Sequence, residues 1–184
     1  MELLQRTVGP AATNLYVLGD EGSREAIAVD TATPCVAWLT ERLAERDWTL
    51  KLIVSTHRHW DHIGDNAAVA AATRARIAVH QLDRPGLLRP RSGSAPFPIP
   101  PSVPAVDLAE GGIVRFGAIE LTVLHTPGHT EGSVCLLSRN AGLLLSGDTL
   151  FAGAWGRTDL EGGSEESMAA SIARLARLEP SLRV

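Results

Sequence analysis

The segment STHRHWDHIGD, residues 55 to 65, places three histidines and two aspartates within eleven positions, directly after the apolar run LKLIV at 50–54. A β-branched run of that kind reads as a buried strand, so the polar cluster belongs to the connection that leaves its end. In extended chain successive side chains alternate sides. His57 and His59 therefore point the same way and can place two imidazole nitrogens on one metal ion. Asp61 and His62 follow where a helix begins, and a turn of the backbone there can direct them to a second ion.

Two later segments carry the same chemistry. In LHTPGHTEGS, residues 124 to 133, Pro127 and Gly128 make a tight turn that is expected to leave His129 exposed at its tip. In LLLSGDTLF, residues 143 to 151, an apolar strand ends before Asp148, and a carboxylate at a strand end can bridge two cations. The other two histidines, His80 and His125, stand alone and read as surface or hydrogen-bonded core residues.

The rest of the chain supplies a frame. NLYVLGD and EAIAVDTA read as a hairpin joined by Glu21, Gly22 and Ser23. Val36, Leu39 and Leu43 follow Pro34 at helical spacing. Asp61 to Ala72 reads as a second helix, and Arg76 to His80 as a strand. Residues 84–104, with seven prolines, show no helical or strand period and read as an extended loop able to wall a substrate pocket. VDLAEGGIVRF, IELTVLHT, SVCLLS and GLLLSGD are strand-like, and a helix is expected from Ser164 to Leu178. Two β-rich halves with helices imply a sheet-on-sheet core flanked by helices, one domain over residues 1–184.

Composition narrows the partners. The net charge of −4 is spread along the chain, leaving no basic stripe for a nucleic-acid backbone. Arg6, Gly9 and Pro10 interrupt the N-terminal stretch where a signal peptide would be apolar, and no later run reaches membrane-spanning length, so a cytoplasmic protein without a membrane partner is expected. Cys35 and Cys135 read as plain thiols.

HxHxDH at 57–62, TPGHTxGS at 126–133 and GDTLF at 147–151, in this order, resemble the metallo-β-lactamase superfamily. FAGAWGRTDLEGGS, residues 151 to 164, resembles the hydroxyacylglutathione hydrolase (glyoxalase II) branch and its short bacterial relatives. The resemblance implies an α+β fold, an αββα sandwich of two mixed β-sheets flanked by helices, with metals at one edge between the sheets. It implies that His57, His59 and His129 bind a first ion, that Asp61 and His62 bind a second, and that Asp148 bridges both. Two divalent ions are expected, zinc first, with iron or manganese as alternatives. The implied reaction is hydrolysis of a small-molecule thioester, such as S-lactoylglutathione or a related acyl thiol, by metal-activated hydroxide that Asp61 orients or deprotonates. A related branch, the mononuclear iron persulfide dioxygenases, would need only His57, His129 and Asp148. A non-catalytic, metal-stabilised binding domain is the third reading.

Arg157 and Asp159 are candidates to support the ligands from behind, whereas Tyr16, Trp60 and Trp155 are given no role. Two departures from the family pattern stand out. Its second site has one more histidine, in a PGHG segment after a strand that would begin at EPSLRV, so the chain is expected to lack that strand and segment and its second site to be incomplete. Glyoxalase II enzymes also carry an added helical region that holds glutathione, and nothing here supplies it.

Overall fold

Strands that are apolar at nearly every position have two faces to cover, and this chain provides a layer for each. The computed structural model describes residues 1–91, 93 and 95–184. A six-stranded sheet runs in sequence order: β1 (Glu2–Val8), β2 (Thr13–Asp20), β3 (Glu25–Val29), β4 (Thr49–Val54), β5 (Arg76–His80) and β6 (Val106–Leu108). Strands β1 to β3 are antiparallel, and β3 to β6 are parallel. A second, antiparallel sheet has the order β10 (Leu143–Leu145), β9 (Val134–Ser138), β8 (Ile119–His125), β7 (Ile113–Phe116). A small hairpin, β11 (Leu150–Phe151) and β12 (Ala154–Trp155), follows. The helices are α1 (Val36–Glu45), α2 (Trp60–Ile63), α3 (Asn66–Thr73), α4 (Arg84–Leu88) and α5 (Glu165–Leu175).

The period-2 alternation sorts the side chains. Leu18, Ile27, Val29, Leu52 and Val54 of the first sheet meet Phe116, Leu121, Val123, Val134 and Leu136 of the second, forming the interior of the sandwich. Their neighbours Leu15, Val17, Ala26, Ala28 and Ile53 face the other way and pack with Leu39 and Leu43 of α1 and Val69 of α3. On the far side, Leu124, Cys135, Leu137 and Leu144 receive Leu175 of α5. The layers are helix, sheet, sheet, helix, the αββα arrangement that the resemblance implies. Among the described residues no helix is long and apolar enough to cross a membrane.

Three sequence expectations need correction, and one strand went unread. VDLAEGGIVRF is two strands in different sheets, because Gly111 at φ +72 turns the chain between β6 and β7. The helix expected over Asp61–Ala72 is two, α2 and α3. The carboxylate of Asp65 between them accepts from Thr33 Oγ1 and Cys35 N–H, and the Asp65 N–H donates to Thr31 O, so the loop after β3 intrudes at the break. The Pro-rich stretch opens with α4, which has proline in its first turn and a buried Leu87. β1, unread in the sequence, is an edge strand with a single buried residue, Val8, so it carries no apolar alternation to read.

Candidate metal centre

Parallel strands end at one edge of their sheet, and the loops leaving β3, β4 and β5 there carry Asp30, His57 to His62, and Asp83. The second sheet contributes from the same side. The loop between β8 and β9 carries His129, and the turn after β10 carries Asp148.

The six sequence-derived candidates come together there. Ring nitrogens of His57, His59 and His129 lie within 4.8 Å of one another, and so do ligand atoms of His57, His62 and Asp148. His59 Nδ1 and His129 Nε2 are 2.8 Å apart. Asp148 presents one oxygen to each group: Oδ1 lies 3.2 Å from His62 Nε2, and Oδ2 lies 3.4 Å from His129 Nε2. Asp61 Oδ2 stands 3.5 Å from His62 Nε2 and accepts a hydrogen bond from Thr13 Oγ1.

Hydrogen bonds behind the rings fix which nitrogen faces inward. Thr56 Oγ1 donates to Asp30 Oδ2, so it accepts from His57 Nδ1 at 3.1 Å. His62 Nδ1 donates to Asp30 Oδ2 at 2.9 Å, and His129 Nδ1 donates to the Arg157 carbonyl at 2.7 Å. His57 and His129 are left with a bare Nε2 turned inward, and His62 Nε2 faces Asp148 Oδ1. The Nε2 of His57 is fully buried without a hydrogen-bond partner among the described residues. Such an atom is costly alone and natural as a ligand, so the donor set fits a divalent cation.

The electrostatics agree. Burial, reinforced by His62 and His129, pushes the His57 imidazole well below its usual pKa. Burial and His129 push His59 down to about 4. For His62 burial acts downward too, but Asp30 and Asp148 outweigh it and hold the ring well above the usual value. Burial raises Asp148, yet the His62 hydrogen bond outweighs that and leaves it below the usual carboxylate value. His57 and His59 are thus kept neutral, the form that binds a cation.

The cluster opens into a cleft of about 740 Å³ whose lining includes His59, Asp61, His129 and Asp148. Trp60, Leu82, Pro85 and Leu160 give it apolar surface, and Arg89 and Arg91 from the Pro-rich stretch also line it. Trp60 meets Phe97 edge-on at 6.1 Å, which ties that stretch to α2.

Several expectations at the site change. His129 is buried, not exposed at a turn tip, because Gly128 packs against the backbone of Met168 in α5, where a Cβ would approach within 2.5 Å. Arg157 supports His129 through its main-chain carbonyl, while its side chain forms an exposed pair with Asp159. His80 and His125 stay outside the cluster and stack on each other at 4.2 Å. Tyr16 lines a second hollow beside His62, and Trp155 is exposed. Sequence reasoning missed Asp30 and Asp83, both fully buried. The available signal was a carboxylate ending an apolar strand, EAIAVD, and one placed three residues past RIAVH.

Comparison with known proteins agrees with this geometry. The family model described as "Metallo-beta-lactamase superfamily" matches residues 8–184. An Aquifex aeolicus protein, described as uncharacterized, is 37% identical over 91% of this chain and 80% of its own length. A hydroxyacylglutathione hydrolase of Ectopseudomonas mendocina is 35% identical over 99% of this chain, which spans 64% of that relative's length. Among solved structures, the BLEG-1 B3 metallo-beta-lactamase superposes with a TM-score of 0.82 at 34% identity, covering 94% of this chain and 84% of that one. TTHA1623 in a di-iron-bound form gives 0.82 at 29% identity, covering 96% and 87%. With its ligand-type side chains gathered at the sheet edge and this match along nearly its whole length, the chain belongs to the metallo-beta-lactamase superfamily.

Proposed function

We propose that the chain is a metal-dependent hydrolase acting on a small-molecule thioester, such as S-lactoylglutathione or a related acyl thiol. The observation that carries the reading is the junction of two features. A cluster of inward-facing imidazoles, two of them held neutral, lies where a largely apolar cleft meets the sheet edge. The 35% identity to a hydroxyacylglutathione hydrolase supports the thioester over other acyl substrates.

His57, His59 and His129 would hold one divalent ion, Asp61 and His62 the second, with Asp148 between them. Bound there, such ions supply Lewis acidity that lowers the pKa of water and polarises a carbonyl. Asp61 does the local work. Thr13 fixes one of its oxygens, so the carboxylate is oriented to position water or take its proton. The cleft walls hold the acyl group and limit water. Zinc is the expected metal, and the di-iron form of TTHA1623 makes iron the alternative.

A second reading, a mononuclear iron persulfide dioxygenase, is favoured by the inequality of the two ligand groups: among the described residues, the ligand atoms that gather around His62 and Asp148 within 4.8 Å of one another include His57, already a member of the first group. Elemental analysis of the purified protein, with the same sample assayed on S-lactoylglutathione, separates the two. Two ions per chain with turnover support the hydrolase. One iron with oxygen uptake and no hydrolysis supports the dioxygenase and ends the thioester reading.

A further inference from the structure

Asp83 lies on neither ligand-bearing loop, and its carboxylate is fully buried. Four donors converge on it. Oδ2 accepts from the Arg58 backbone N–H at 2.9 Å and from Thr130 Oγ1 at 2.7 Å. Oδ1 accepts from Arg58 Nη1 at 2.7 Å and from the Gly132 N–H at 3.2 Å. Arg58 stands between His57 and His59, and Thr130 follows His129. One carboxylate therefore joins the two loops whose histidines face each other across 2.8 Å.

We infer that Asp83 is a positioning residue for the metal centre, holding His59 against His129 by binding the loop of the first to the loop of the second. The inference rests on the reading of this cluster as a metal centre and goes beyond it, since Asp83 touches neither ion nor substrate. The fit around Asp83 is tight: a Cβ on Gly132 would come within 2.6 Å of its carboxylate carbon. The guanidinium extends the tie. It reaches Glu131 Oε2 at 3.3 Å and the Glu161 carbonyl at 2.9 Å, so the cleft wall at 160–162 is joined to the same anchor. A carboxylate suits this place because all four partners are donors and one is charged.

Asp83→Asn tests it. The carboxamide keeps the volume but, in either orientation, turns an NH2 group towards two of the four donors. Cobalt(II) is the probe, its affinity read by chelator competition and its geometry by the visible spectrum. In the metal-free protein, the nuclear Overhauser contact between the His59 and His129 rings reports their approach. Asp83→Asn is expected to weaken cobalt binding by roughly 10–100-fold, alter the spectrum and lose the ring contact. Thr130→Val, which removes one donor and leaves the carboxylate, is expected to shift both in the same direction by less, and it keeps the test open if Asp83→Asn does not fold. Leu39→Ala in α1 lowers stability far from the centre and should leave cobalt affinity unchanged.

Wild-type affinity, spectrum and ring contact in both variants would overturn the inference, as would a loss of affinity in Leu39→Ala equal to that in Asp83→Asn. If the wild-type protein binds no cobalt yet Asp83→Asn still loses the ring contact, the positioning role stands and the metallohydrolase reading falls.

Discussion

The two ligand groups around Asp148 are built on opposite electrostatic principles. His57, His59 and His129 lie close together with little negative charge among them, and burial keeps His57 and His59 neutral. His62 sits between Asp30, Asp61 and Asp148, and its attraction for a proton is raised. In the absence of metal, the first group is made of neutral rings, with His59 and His129 sharing a hydrogen bond at 2.8 Å, whereas the second carries a proton on His62. A cation entering the first group breaks one hydrogen bond between neutral rings and displaces no positive charge. A cation entering the second must displace that proton, so the first group is expected to fill first and more tightly.

Deleting one ligand from each group is the most direct way to break this contrast. His129→Ala should raise the dissociation constant of the tighter ion by more than ~100-fold, beyond what loss of a supporting hydrogen bond costs. His62→Ala should lower the metal content by one ion per chain and leave the tighter site intact. Titration with zinc followed by elemental analysis reads both. If His62→Ala empties both sites, the groups are one unit and the contrast fails.

Asp30 reaches both groups, since it orients His62 directly and His57 through Thr56. Asp30→Asn should therefore weaken both ions, by roughly 10–100-fold for the second, because the carboxamide is a poorer partner for His62 Nδ1–H. The tighter ion should lose less, Thr56 standing between it and the change. Competition with a chromogenic chelator measures the pair. An effect on the second ion alone would show that Thr56 does not need Asp30.

Much of this was legible in the sequence because its cause is local. Within 57–62 the ligand types are dense, and the strands LKLIV and RIAVH read clearly because both of their faces are apolar. Asp30 was not legible. Its role depends on the parallel register that sets Val29 beside Val54, bringing the ends of β3 and β4 together, and no spacing along the chain encodes that neighbour. The break between α2 and α3 escaped for the same reason, since it is imposed by residues 31–35 from another loop. His129 was placed at an exposed tip because a PG pair marks a turn, but what covers a turn is decided by a distant helix, here α5.

The smallest expected effect sharpens the contrast without metal. His57 and His59 have folded-state pKa values below the usual ~6.5, so as pH falls through that value the unfolded chain takes up protons that the folded protein refuses, and stability drops. His62 has a raised folded-state pKa. Its contribution is fully present below ~6.5 and is lost as pH rises through the higher folded value. The two limbs slope in opposite directions, and metal-free protein should be most stable near pH ~6.5, with the acid limb from His59 on the order of 2 kcal/mol by pH ~4. Urea unfolding of chelator-treated protein across this range measures the curve. His59→Ala should flatten its acid side and His62→Ala its alkaline side. A curve that rises steadily with pH would mean that His62 does not hold the proton that distinguishes the second group from the first.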